Sequence, residues 1–220
     1  MDLALSFARF AHVLIPIYWL GGDLGTFLCG RAVRNAALTP AERLGALQLL
    51  LAVDMGPRSA LILALPTGLT LAAAKGWLVL GGPTLLTIWL LGLGWLGLAW
   101  AVHLHHGAGA ERLRKLDLAV RYALLVGLLA AGVGGLAGMA AVPLFLALKL
   151  LLLAAALALG ILVRYQLGPL FPAIAALRTE GASPATDAAI RTTLLATTRS
   201  VLCIWVVVML AIFTGMATPL

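Results

Sequence analysis

Six apolar runs of about 20 residues or more constrain this chain most, because that length without charge is what a helix needs to cross a bilayer. They fall at roughly 7–29, 47–74, 84–104, 119–141, 144–165 and 199–217. Hydrocarbon offers backbone N–H and C=O groups no partner, so a spanning segment must be a helix or part of a closed barrel. No run shows the turn-bounded alternation of a barrel strand. The expected fold is an all-α polytopic membrane bundle of six transmembrane helices, with residues 1–220 as a single transmembrane domain. Composition points the same way: 10% of the residues are charged, against about 25% in a soluble domain.

The net charge of +7 would suggest nucleic acid in a soluble protein, but the basic residues sort by connection. The first, third and fifth connections hold Arg31, Arg34 and Arg43, then Arg112, Arg114, Lys115 and Arg121, then Arg164, Arg178, Arg191 and Arg199. The second and fourth hold Lys75 alone. This is the positive-inside pattern, which puts the odd connections in the cytoplasm of a bacterial inner membrane and both termini on the other side. Topology thus accounts for the basic residues, and with no folded aromatic platform the chain is not expected to bind nucleic acid. Arg9 precedes a run too long for a signal-peptide core, so no processing is expected. Cys29 and Cys203 form no CxxC or Cys/His spacing and read as buried free thiols.

Two helices should begin before the bilayer. Thr39-Pro40-Ala41-Glu42 reads as a cap, a first-position proline and a capping glutamate, and Ser183-Pro184 repeats the cap and proline. Both helices then carry an Arg-Ser pair, Arg58-Ser59 and Arg199-Ser200, a slight sign of a duplicated hairpin. The glycines between Ala130 and Gly138, and Gly92, Gly94 and Gly97, would let neighbouring backbones approach closely.

Ionisable residues inside apolar runs cost about 2.5–3.5 kcal/mol each on insertion scales, so each asks for a partner or a task. Successive spans alternate in direction, which sorts these residues by depth. His12, Met139, Lys149 and Met216 fall toward one end; Asp23, Arg31, Asp54, Arg58, His103, His105 and His106 fall toward the basic end. Asp54 and Arg58 are spaced i, i+4, and Asp23 could reach the same guanidinium. His103, His105 and His106 make a weak zinc or copper set, since adjacent residues cannot share one helix face. His12 has no obvious carboxylate neighbour. Its imidazole either bonds a backbone carbonyl or binds a metal or haem iron, and Met139, Lys149 or Met216 lie at the depth of a second axial ligand.

The run His12-Val-Leu-Ile-Pro-Ile-Tyr-Trp19-Leu-Gly21-Gly22, with Arg31 and Arg34 after it, resembles the opening helix of the copper-resistance protein D-like family. It is also similar to the HemJ-type protoporphyrinogen oxidases, whose Met, Arg, Pro and Gly-Leu pattern is matched by Met55, Arg58, Pro66 and Gly68-Leu69. The resemblance covers residues 7 to about 74. It implies haem b in a small helical bundle, with His12 as axial ligand to the iron, Trp19 beside it, and Arg58 near propionates or a polar substrate. It does not imply the oxidase reaction, because those enzymes carry a lysine at the start of the third span and Thr84 to Leu93 has none.

The leading expectation is therefore a haem b protein passing electrons between a redox partner and the quinone pool or another haem. The alternatives are a copper or small-solute transporter using Asp23, Asp54 and Arg58, and an accessory subunit packed into a larger membrane complex or a homo-oligomer through its glycines. For the topology, an alkaline phosphatase fused after Gly81 should be active in bacterial cells and one fused after Ala110 inactive. The reverse pattern would overturn the assigned sidedness.

Overall fold

A computed structural model describes residues 2–105 and 108–217. His106, one of the candidate ligands above, lies outside them. The described residues form eight helices: α1 (Leu3–Val33), α2 (Pro40–Val53), α3 (Met55–Ala74), α4 (Gly82–Leu104), α5 (Ala108–Leu136), α6 (Leu144–Gln166), α7 (Leu170–Thr179) and α8 (Pro184–Met216). Six helical stretches are long and apolar enough to cross a membrane, with α2 and α3 together making one and α6 running on into α7. Side chains such as Phe7, Phe10 and Ile17 on α1, Leu90 and Leu91 on α4, and Val206 and Phe213 on α8 are exposed. An exposed apolar surface of that extent suits a lipid environment. The protein is an all-α, multi-pass helical bundle.

Each span packs on the next in sequence: α1 on α3, α3 on α4, α4 on α5, α5 on α6 and α6 on α8. Contact between α1 and α8 closes the ring. Trp19, Ile62, Trp95, Leu128, Leu157 and Ile204 fill its centre, one or more from every span. Small residues permit the tightest crossings. A Cβ on Gly25 would come within 2.8 Å of Val53 Cγ1, and one on Gly132 within 2.6 Å of Leu151 Cγ. Gly92 packs against Pro66, whereas Gly94 and Gly97 have nothing within 4 Å of a built Cβ, so only the first of the α4 glycines serves helix packing.

Both expected helix starts are present. Thr39 and Glu42 make a reciprocal capping box on α2, with Thr39 N–H donating to Glu42 Oε2 at 2.8 Å, and Ser183 Oγ caps α8 by accepting from Thr186 N–H at 3.2 Å. The fourth apolar run ends earlier than expected, at Leu136, because Gly138 turns the chain with φ +69. Its helix starts earlier too, so the span is 108–136 rather than 119–141. The third difference is α7, which follows the break at Pro169 within a stretch expected to be a connection. Leu170, Ile174 and Leu177 of α7 pack on Val33, Ile190 and Leu194 in a second apolar cluster at the basic end. Cys29 is half-buried and Cys203 exposed, so the thiols are free as expected but not buried.

Two ionic clusters hold the basic end. Arg43 is fully buried; its Nε donates to the Val33 carbonyl at 2.8 Å and its Nη1 pairs with Asp187 at 2.6 Å, which joins the end of α1 to α2 and α8. Asp117 on α5 is 1% exposed and accepts from Trp95 Nε1 of α4 at 2.9 Å and Arg121 Nε at 3.0 Å, and it pairs with Arg164 Nη2 of α6 at 2.7 Å. The Arg121 guanidinium also lies 5.4 Å from the centre of the Trp95 ring. Removing one partner of such a buried set leaves the others uncompensated. Asp117→Ala should lower stability by about 3–5 kcal/mol, read as a lower Tm in detergent, while Glu111→Ala, which breaks the exposed pair with Lys115, should leave Tm unchanged.

Candidate functional site

At the end of the bundle opposite the arginines, α1, α3, α6 and α8 diverge around a cavity of about 440 Å³. Pro16 lines it, and Pro66 lies next to the lining residue Leu65 on α3. Pro16 lies one turn after His12 and cannot donate to the His12 carbonyl, and Pro66 likewise leaves the Ile62 carbonyl without its helical partner. Aliphatic side chains make up most of the lining. Trp77 closes one end, its ring edge-on to Phe145 at 4.9 Å.

Four of the residues singled out from the sequence line this cavity together: His12 and Trp19 from α1, Lys149 from α6 and Met216 from α8. The depth argument therefore brought the right elements together, since these residues lie far apart in the chain. Met139 has the right depth but stands 77% exposed in the turn after α5 and does not line the cavity. Arg58 does not line it either. It lies ten residues before Gly68 on α3, about 15 Å along the helix axis, and pairs with Asp54.

His12 Nδ1 lies 3.1 Å from Thr67 Oγ1. The Thr67 hydroxyl has one hydrogen, and that hydrogen is directed to the Leu63 carbonyl at 2.7 Å, with Ala64 O at 3.3 Å. With that hydrogen on the Leu63 carbonyl, Thr67 Oγ1 accepts from the imidazole, and in that tautomer Nδ1 carries the proton and Nε2 keeps its lone pair. This is how a metal-binding histidine is held, one ring nitrogen fixed by a hydrogen bond and the other left to coordinate. Gly68 makes room for the ring: a Cβ there would sit 3.1 Å from His12 Cε1. Across the cavity a Cβ on Gly215 would meet Lys149 Nζ at 2.5 Å, so Gly215 makes the same room for the lysine. Among the described residues no carboxylate lines the cavity.

The other candidates do not converge. Asp23 is buried, and its carboxylate accepts from Trp205 Nε1 of α8 at 3.1 Å instead of reaching Arg58. The expected three-charge network is thus an Asp54–Arg58 pair and a separate Asp23–Trp205 bond. His105 Nδ1 bonds the Ala101 carbonyl at 2.9 Å and His103 lies edge-on to Trp100, each satisfied locally. Among the described residues no three His, Cys, Asp or Glu side chains gather as a metal-binding group. The sequence reasoning missed Thr67, although a Thr one residue before Gly68 and one after Pro66 was a readable signal.

The chain matches no protein-family model, no curated protein and no solved structure.

The tautomer can be measured directly. Histidine ¹⁵N NMR of the labelled protein should show His12 protonated at Nδ1 and not at Nε2, and Thr67→Val should release the ring toward the Nε2–H form. A wild-type His12 already protonated at Nε2 would refute the assignment.

Proposed function

We propose that this chain is a bacterial inner-membrane protein that binds haem b in the cavity through His12 and takes part in electron transfer, with a redox protein or quinone as partner. The observation that carries the reading is the His12 imidazole held at Nδ1 by Thr67, which leaves Nε2 free to ligate. The residues present suit the group. Gly68 supplies clearance beside the imidazole, and the aromatic and aliphatic lining suits a flat apolar macrocycle.

Bound haem would supply a one-electron redox couple that the polypeptide lacks. The polypeptide's own tasks follow from its side chains. His12 would hold the iron through its ring nitrogen, with Thr67 bonded to the other nitrogen of the ring. Met216, on the last turn of α8 and 79% exposed, lines the cavity and would be the candidate for a second ligand. Lys149 would offer an ammonium to the propionates of a bound haem, the role that sequence similarity assigned to Arg58. Trp19, Trp77 and Phe145 keep the surroundings apolar, which raises the cost of net charge and so tunes the potential. The arginine-rich connections support the inner-membrane placement.

A reduced-minus-oxidised absorption spectrum of the detergent-purified protein, with haem measured against protein, tests the reading. Near-stoichiometric haem with sharp α and Soret bands is expected, with loss of haem in His12→Ala and a shifted spectrum in Met216→Leu. Full haem retention in His12→Ala would overturn the assignment, as would a featureless spectrum after expression with added haem.

A further inference from the structure

A second concavity lies at the opposite end, between the end of α1 with the residues that follow it and the first three turns of α8, with a volume of about 950 Å³. Arg31, Arg34 and Arg191 line it. Arg31 and Arg34 are spaced i, i+3 and so share a face of α1, and Arg191 reaches the same space from α8. None of the three forms an ion pair among the described residues. Among the described residues Asp187 is the one carboxylate in the lining, and its Oδ1 is held by the buried Arg43. Arg43 thereby ties the two walls together, through the Val33 carbonyl on α1 and Asp187 on α8.

Positive-inside sorting explains why arginines are at this end, but it depends on their number and not on their convergence. Convergence of three unpaired guanidinium groups on one cleft calls for an anion with several acceptor oxygens, and phosphate is matched bidentately by arginine. Placement decides its source. The cleft opens where membrane-spanning helices emerge, and Leu38 and Leu195 beside the arginines give it an apolar flank. A headgroup there keeps its acyl chains along the exposed apolar side of the bundle. We propose that this cleft binds the phosphate headgroup of an anionic phospholipid, a basic pocket of the kind that reads lipid charge at the membrane surface. The proposal is independent of the haem cavity.

Native mass spectrometry of the full chain in detergent, titrated with phosphatidylglycerol and with phosphatidylcholine, tests it. Phosphatidylglycerol should bind in preference, and R31Q/R34Q/R191Q should weaken it by roughly fivefold per arginine removed. R191Q alone, which leaves the other arginines to set topology, should show a single such step. R112Q/R114Q removes charge at the same end but outside the cleft and should leave binding intact. Undiminished binding in R191Q and the triple variant would overturn the site. An equal loss in R112Q/R114Q would reduce it to general surface attraction. Displacement of the lipid by inorganic phosphate at similar concentration would make a free anion the occupant and overturn the lipid assignment.

Discussion

Asp117 is the point on which the basic half of the bundle depends. A carboxylate enclosed by spanning helices cannot draw on water, so its charge must be met by donors from its neighbours. Three donors arrive from three helices: Trp95 from α4, Arg121 from α5 itself and Arg164 from α6. Together with the Arg43 clamp on α1, α2 and α8, this fixes how the six spans sit against one another at one end. Packing among lipid-facing helices gains little from the hydrophobic effect, because lipid tails are as apolar as leucine. Directional polar contacts and close small-residue crossings therefore decide register; the polar contacts are concentrated toward the arginines, whereas close crossings occur at both ends, Gly25 on Val53 at one and Gly132 on Leu151 at the other.

The other end is built differently. Among the described residues its polar side chains, His12 and Lys149, have no carboxylate across the cavity, and Pro16 and Pro66 each remove one hydrogen bond from the helices that carry His12 and Thr67. A half-buried lysine without a counter-ion among the described residues costs free energy. A bound group with acidic substituents would offset that cost. At the other end the Asp117 carboxylate is met by three donors, and Arg43 keeps one buried nitrogen, Nη2, without a partner among the described residues.

The spans, the two helix starts and the pairing of depths were legible in the sequence, for distinct physical reasons. Apolar length is read against a bilayer thickness, and capping is a local interaction within four residues. Depth follows from the alternating direction of antiparallel spans, which placed His12, Lys149 and Met216 together across more than 200 residues of chain. Depth does not give azimuth. Met139 shares the level but not the cavity, and Asp23 turns to Trp205 on α8 where Asp54 and Arg58 had looked closer. The Asp117 network was hidden because Arg121 and Arg164 were assigned to the connections by charge, although α5 and α6 carry both as helical residues. In α7, Leu170, Ala173, Ile174 and Leu177 show the i, i+3, i+4, i+7 pattern of an amphipathic helix, but the stretch had been given to a connection.

The functional alternatives differ in the geometry they require. A copper path needs soft or imidazole ligands repeated at one depth, and a coupling site built on Asp23, Asp54 and Arg58 needs those groups on one side chain network. Neither arrangement occurs among the described residues: Asp23 is bonded to an indole, Arg58 to Asp54, and His103 and His105 to their own helix surroundings. His12 is the histidine whose ring nitrogens are differentiated by a side-chain hydroxyl and whose ring opens on a cavity. A single imidazole is too few ligands for a dedicated protein cage around a bare metal ion, but it is enough for an iron whose equatorial positions a macrocycle already fills.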